Sequence, residues 1–412
     1  MSKPKLLFIG HTSIWDTPLF GAQLRSANLA CQLSRTFDIT YACPSEVEKP
    51  GERPDLAERS GFAKVIVSKA AAPAEFARWG GPRMSLRLLL STPVPLDLRE
   101  RISPQLIQQL TKERTIADYD AVWAHRSWHA EAALRAGFRR IVCDVDDFEH
   151  VIFRQQVSEL GRYRRRPLHL IAIEKLRRYE RSLAQRFARV VVTKTEDVSL
   201  AACNGDLQPA VVPNGVSLPQ ITTAADESSP SFLFVGILGY GPNIDGAIWF
   251  ANQVLPLIRR RVPSTRFVIA GRAPCPAELV SLLEDPGVEI VESPDSLSPL
   301  YAQATAVVTP IRLGHGTRIK VLEALAYAKP LVTTTEAASG HRLVNSREAL
   351  FADSPETFAS SCVQLIEDRT LRDRLAKDGL QFVKNNATWE RVGERAVEIV
   401  RSVLADSPGS RS

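Results

Sequence analysis

The chain has 412 residues, enough for two domains of ordinary size, and its 44% hydrophobic and 24% charged content excludes global disorder, collagen-like repetition and a coiled coil. No run reaches the roughly 18–20 apolar residues of a membrane-spanning helix, and six scattered cysteines without a CxxC pair argue against a disulfide framework or a structural zinc site. The net charge of +6 suits phosphate-bearing ligands or an anionic membrane surface, and no RNP-like or helix-turn-helix signature points to nucleic acid.

In chain order, Met1-Ser2-Lys3-Pro4-Lys5 leads into the apolar Leu6-Leu7-Phe8-Ile9 and breaks at Gly10-His11 without a small-residue cleavage site. The expectation is a first buried strand and a cytoplasmic protein. Further strands are predicted at Phe37–Cys43, Ala63–Ser68, Ala121–His125, Ile141–Asp144, Val190–Thr193 and Val211–Val212, with helical patterns at Ala22–Arg35, Pro104–Ile116, Trp128–Ala136 and Pro167–Arg186. Apolar strands separated by helices indicate a parallel sheet covered on both faces. Residues 217–231, polar and punctuated by proline, read as a linker. The alternation then resumes, with strands at Phe232–Gly236, Arg266–Ala270, Val288–Val291, Ala306–Pro310 and Leu331–Thr334 and helices near 243–261, 276–284, 297–303, 317–328 and 355–367. The fold class is therefore α/β, two Rossmann-like domains with parallel sheets, and the cleft between them is the default ligand site. An amphipathic helix, Trp389–Leu404, and a frayed tail, Ser407–Ser412, follow.

The most informative stretch runs from Pro310 to Pro330 and reads PIRLGHGTRIKVLEALAYAKP. It leaves a strand, passes Gly314-His315-Gly316 and enters a helix, so glycines admit a ligand to the backbone and the helix start favours an anion. Thr317, Arg318 and Lys320 add a hydroxyl and two cations where a diphosphate would lie. Glu323 falls on the same helix face as Lys320. Arg318 to Glu323 spans about 7.5 Å at 1.5 Å per residue, roughly one phosphate-to-ribose step. A plain alternative is an amphipathic helix whose Lys320 and Glu323 form a weak surface pair worth roughly 0.2–0.5 kcal/mol.

Around this stretch stand Val212-Pro-Asn-Gly-Val216, the run Phe234–Phe250, Leu255-Pro256, Arg260-Arg-Val-Pro263 and Phe267-Val-Ile-Ala-Gly-Arg272. In order and spacing this set resembles family 4 of the retaining GT-B glycosyltransferases (glycosyl transferases group 1) over nearly all of residues 190–335. The first half resembles it more loosely, through the Gly21 loop, the strand ending at His125 and Asp146-Asp147. The resemblance implies an acceptor-binding domain at 1–216, a nucleotide-sugar donor domain at 232–388, and a terminal helix in 389–412 that crosses back to the first domain. It implies that Glu323 holds the donor ribose, that Gly316-Thr317-Arg318 cradles the diphosphate, that the backbone at Val291-Glu292 meets the base, and that Gly21 approaches the donor phosphate. Two positions depart from the family pattern. His315 stands where the E-x7-E motif has its first glutamate, and Ile237 and Asn243 stand at or near a usual Arg/Lys pair, leaving Arg318 and Lys320 to supply that charge.

In the first domain His125 ends an apolar strand, where the family often places a histidine beside the donor sugar; a structural histidine capping the strand is the alternative. His129 is a weaker candidate. Asp144-Val-Asp146-Asp147 contains a DxD string; Asp146 and Asp147 are read as loop or helix-cap residues near the acceptor, because helix dipoles and cations replace the metal in this fold, and a divalent metal is the lesser alternative. From Arg162 to Arg189 there are ten Arg or Lys against two Glu, a basic amphipathic pattern that suits peripheral contact with an anionic membrane or a solvated face over an ordinary core stripe. The expected activity is a retaining hexosyltransferase-type transfer from a UDP- or GDP-linked sugar, a co-substrate in place of any cofactor, to a glycan, polysaccharide precursor or lipid-linked acceptor. His125, Arg318 and Lys320 are the catalytic candidates. The alternative is a degenerate scaffold that binds nucleotide or a partner protein.

Overall fold

Each predicted strand is a short run of β-branched, aromatic or small apolar residues, and such runs bury both faces when they pair in parallel between helix layers. The computed structural model describes residues 3–15, 21–45, 49–69, 101–159, 166–201, 208–220, 229–272, 274–314 and 317–406. The chain divides into two units: Met1–Pro213 together with Val392–Ser412, and Asn214–Arg391.

The first unit holds β1 (Lys5–Ile9), β2 (Asp38–Ser45), β3 (Gly51–Glu52), β4 (Lys64–Lys69), β5 (Ala121–His125), β6 (Ile141–Asp144), β7 (Arg189–Val192) and β8 (Ala210–Val211). Their order in the sheet is β3-β4-β2-β1-β5-β6-β7-β8. Only the two-residue edge strand β3 runs antiparallel to its neighbour. Leu7, Ile9, Val122, Ala124, Ile141, Cys143 and Val190 are buried in one core. The helix Gly21–Ser34 after β1 carries Arg25 into that interior. There its guanidinium meets the Asp144 carboxylate at 2.8 and 3.0 Å and donates to the carbonyls of Val212 at 3.0 Å and Pro213 at 3.1 Å. Both members of the ion pair are fully buried. The helix Trp389–Ala405 belongs to this unit from Val392 onward, with Val392, Ala396, Val400 and Val403 buried.

The second unit holds β9 (Ser231–Val235), β10 (Arg266–Gly271), β11 (Val288–Glu292), β12 (Ala306–Thr309), β13 (Leu331–Thr333) and β14 (Leu350–Phe351), ordered β11-β10-β9-β12-β13-β14. Its core includes Phe232, Phe234, Phe250, Phe267 and Phe358, with the rings of Phe250 and Phe267 centred 4.4 Å apart. The predicted helix 243–261 is divided into Gly241–Trp249, a π turn at Phe250–Val254 and Leu255–Arg259. Pro256 has no N–H to continue the ladder, and the wider turn absorbs the break. Helices beyond those expected include Pro54–Ser60, Glu149–Glu159 and Arg369–Asn386. Ser231 opens β9, while 221–228 and the tail 407–412 lie outside the described residues.

In the second sheet the connection reverses direction between β9 and β12; in the first it does so between β1 and β5. Such reversal points open a crevice at the carboxyl ends of the two strands, where open α/β sheets bind ligands.

Candidate functional site

In the second unit β9 runs out at Val235-Gly236 and β12 at Thr309. The segment after β12 is fixed from several sides before it enters the helix Ile319–Ala326. The Thr334 hydroxyl donates to the Ile311 carbonyl. Gly314 adopts φ 99°, and a Cβ there would meet the Arg318 guanidinium at 3.0 Å. Arg318 is buried and donates to the Leu313 carbonyl at 3.2 Å, while His341 Nε2 meets the Arg318 carbonyl at 3.1 Å. The Asn214 amide donates to Thr317 Oγ1 at 2.6 Å, which leaves the Thr317 proton to point elsewhere. Among the described residues no side chain caps the start of the helix, so its first-turn N–H groups keep their preference for an anion. His315 and Gly316 lie outside the described residues.

Lys320 reaches across to the end of β9. Its ammonium lies 4.6 Å from the centre of the Phe234 ring and donates to Asn243 Oδ1 at 2.5 Å. Asn243 in turn donates to the Ile237 carbonyl at 2.8 Å. Gly236 closes this corner: a Cβ there would sit 2.6 Å from Asn243 Nδ2 and 2.7 Å from Lys320 Nζ. Burial, and then the neighbouring Arg318 charge, bring the Lys320 amine down to about 7. Burial pushes the Glu323 carboxyl above its usual range against the pull of Lys320. Among the described residues neither Lys320 nor Glu323 has an ion-pair partner, so the surface pair that their spacing allows is not formed. Arg318 differs from Lys320, because its guanidinium is 3.7 Å from the Glu336 carboxylate.

Val291 and Glu292 end β11 at the same edge of the sheet, paired with Ala270 and Gly271 of β10. Ser293 turns the chain there with φ 45° and donates its N–H to the Gly271 carbonyl at 2.6 Å. The structure therefore places Thr317, Arg318, Lys320 and Glu323 in one loop-to-helix turn, and Val291-Glu292 two strands away from β9 along one carboxyl edge. Asn214 and Phe234 were not singled out individually by sequence reasoning. Both lie inside quoted motifs, but only the pairing of β9 with β12 shows that Phe234 flanks Lys320.

In the first unit the same geometry gathers histidines. His11, just beyond β1, and His125, at the end of β5, have ring centres 6.0 Å apart, and His129 lies 6.3 Å from His11. His125 is fully buried. Its Nδ1 meets Ser26 Oγ at 2.5 Å, and its Nε2 meets Asp146 Oδ2 at 3.3 Å. Both ring nitrogens are thus engaged within the unit. Arg126 and Asp146 both take left-handed backbone, with φ 78° and 60°, and pair at 3.0 Å. Burial raises the Asp146 carboxyl, but Arg126 and the bond from His125 outweigh it and hold the acid well below its usual range. Asp147, 3.6 Å from Arg126, is pushed up to about 6 by burial and by Asp146. His129 donates its Nδ1–H to the His125 carbonyl at 2.8 Å, and burial brings it down to about 3. Asp144 and Asp146 of the DxD string thus commit their oxygens to Arg25, His125 and Arg126. Gly21 opens its helix with φ 40° and is exposed, with nothing close to where a Cβ would stand, so backbone conformation and not packing selects glycine there.

Residues 229–368 match the family described as Glycosyl transferases group 1. An uncharacterized 44.6 kDa protein in the cps region of Klebsiella pneumoniae is 24% identical over 167 residues, which span 39% of this chain and 43% of that protein. Among solved structures, sucrose-phosphate synthase from Thermosynechococcus elongatus superposes with a TM-score of 0.70 at 15% identity, covering 98% of this chain and all (100%) of that one. HepE of Anabaena, solved with UDP and glucose, gives 0.62 at 13% identity over 97% of this chain and 100% of its own. WaaG, a glycosyltransferase involved in lipopolysaccharide biosynthesis, gives 0.61 at 15% identity over 96% and 99%. The chain is an α/β protein of the GT-B fold whose residues 229–368 match the glycosyl transferases group 1 family.

Proposed function

We propose that this protein transfers a sugar from a UDP- or GDP-linked donor to a glycan or lipid-linked acceptor, with retention of configuration. One observation carries the reading: an amine and a carboxyl group, Lys320 and Glu323, stand one turn apart at a reversal point of the sheet with no ion-pair partner among the described residues. A half-buried amine of this kind gains a charge partner only when an anion arrives from outside the chain. In this reading Lys320, the Thr317 hydroxyl and the helix start receive the diphosphate, and Glu323 accepts both ribose hydroxyls. Arg318 shapes the loop and adds charge, and the backbone at Val291-Glu292 meets the base. Stabilising the departing diphosphate in this way acts on the charge that develops in the transition state. His125 contributes by holding Asp146, and Gly21 by admitting the donor phosphate to the start of its helix. The structural neighbour HepE, solved with UDP and glucose, supports the donor class, and WaaG, a glycosyltransferase involved in lipopolysaccharide biosynthesis, supports a glycan or lipid-linked acceptor. A lipid-linked acceptor fits this reading if the basic outer face of the helix Arg166–Arg181 meets an anionic membrane surface.

Release of nucleoside diphosphate from UDP- and GDP-sugars, with and without candidate acceptors, tests the activity. Glu323→Ala is expected to weaken UDP or GDP binding by about 10–100-fold, the worth of hydrogen bonds to a charged group. Undiminished binding by this variant overturns the assignment.

A further inference from the structure

The donor corner has an electrostatic asymmetry that the function above leaves unused. Lys320 reaches the end of β9, yet among the described residues the groups that touch its amine are neutral: the Asn243 amide oxygen and the Phe234 ring. The charged groups facing it are few. Arg318 comes from the preceding loop and repels it, while Glu323 comes from its own helix and attracts it without forming an ion pair. The helix Gly241–Trp249 also carries Asp245, which is engaged by Arg312 at 2.7 Å, and β9 contributes no charge. The Gly236 backbone lies close beside it, since a Cβ there would sit 2.7 Å from Lys320 Nζ. An ammonium taken from water into such a corner, next to a second cation, loses hydration and gains repulsion.

We propose that Lys320 stands in the empty donor site mainly as a neutral amine near pH 8 and takes up one proton as a nucleoside diphosphate binds. This inference rests on the donor reading above. The balance is simple: the amine nitrogen accepts a proton from the buffer, no covalent bond of the ligand changes, and the resulting ammonium meets the diphosphate oxygens. The position of the amine in the empty site, about 7, agrees with this geometry. The sign follows from linkage. The bound anion favours the protonated form, so the complex holds more protons than the free protein. Affinity therefore falls as pH rises from the empty-site value toward the bound-site value, by at most about tenfold per pH unit.

The test is calorimetric titration of UDP and of GDP into the full chain at pH 8 in Hepes and in Tris, buffers whose ionisation enthalpies differ. At that pH the terminal phosphate, with a second pKa of about 6, is already ionised, so any proton taken up belongs to the protein. The expected result is an observed enthalpy that differs between the buffers by the equivalent of nearly one proton. Lys320→Arg, which keeps its charge at this pH, is expected to bind with the same enthalpy in both. Binding without a buffer difference in the wild type overturns the inference and leaves the donor reading standing. Equal proton uptake by wild type and Lys320→Arg also overturns it, because the proton then goes elsewhere. No binding of either nucleotide removes the donor reading and the inference together. Where Lys320→Arg binds too weakly for calorimetry, the wild-type Kd between pH 7.5 and 9 decides: a steady weakening supports the coupling, and a flat profile overturns it.

Discussion

At the scale of single residues, Lys320 illustrates how a buried amine weakens the fold that carries it. Its amine sits near 10.5 in the ordinary state and about 7 in the folded chain. Between those values the unfolded chain binds more protons, so stability rises with pH across that window, and the penalty is full below about pH 7. Lys320→Met is therefore expected to raise Tm by about 2–4 °C at pH 6.5, corresponding to about 1 kcal/mol, and to lose the gain in alkaline buffer, while nucleotide binding drops. Scanning calorimetry at the two pH values checks it. The glycines around this corner separate two kinds of constraint. At Gly236 the atoms in the way are the mobile ends of Asn243 and Lys320, so Gly236→Ala is expected to weaken nucleotide binding tenfold or more with little change in Tm. At Gly271 a Cβ would lie 1.6 Å from the Gly236 carbonyl oxygen. That backbone cannot step aside, and Gly271→Ala is expected to lower Tm markedly.

These residues also show what a sequence can disclose. Lys320 and Glu323 were legible as a candidate pair of ligands because helix periodicity puts them on one face. That they fail to pair with each other was not, since the same spacing permits a surface ion pair, and only the direction in which β9 draws Lys320 decides between the two. His125 was legible as the last residue of a buried strand at a sheet edge. Its engagement by Ser26 on one nitrogen and Asp146 on the other depends on a helix and a turn distant in sequence.

At the scale of elements, the helix Gly21–Ser34, β6 and the chain end after β8 are joined by Arg25, whose guanidinium serves Asp144 and two carbonyls. Removing one member of a buried ion pair leaves the other charge uncompensated, at a cost of about 3–5 kcal/mol. Arg25→Met is expected to destabilise the protein by that amount, and Arg25→Met with Asp144→Asn to recover part of it; chemical denaturation of both variants measures the difference. The helix Arg166–Arg181 turns Ala172, Ile173, Leu176 and Tyr179 inward and leaves Leu170 62% and the Arg178 side chain 77% exposed. That is a core stripe with a basic outer face. Co-sedimentation with anionic liposomes at low salt, reversed at high salt, is expected if this face meets lipid; absence of pelleting at low salt removes the membrane role. The helix Arg369–Asn386 escaped the sequence reading because Asp368 both follows one helix and caps the next, accepting from the Leu371 N–H at 2.9 Å, so no loop marks the boundary. The strands β3 and β14, two residues each, are too short for any periodicity to show.

At the scale of the molecule, the alternation of apolar strands and helices made two parallel sheets legible, because helix layers on both sides of a parallel sheet bury strands that are apolar on both faces. The order of strands within each sheet was not legible, since it depends on which side of β1 or β9 each crossover returns to. That order nevertheless fixes where chemistry can happen: the His11–His125 cluster and the Lys320 corner both sit where a sheet reverses its direction of growth.

The membership of Val392–Ser412 in the first unit bears on how the protein is born. The N-terminal sheet leaves the ribosome early, yet the surface that receives Val392, Ala396 and Val400 stays uncovered until residues 214–391 have also been made. At ordinary elongation rates that delay is on the order of ten to forty seconds. During translation, then, the half that is made first is the half that is finished last, and its exposed apolar strip is the place where a chaperone would engage the nascent chain.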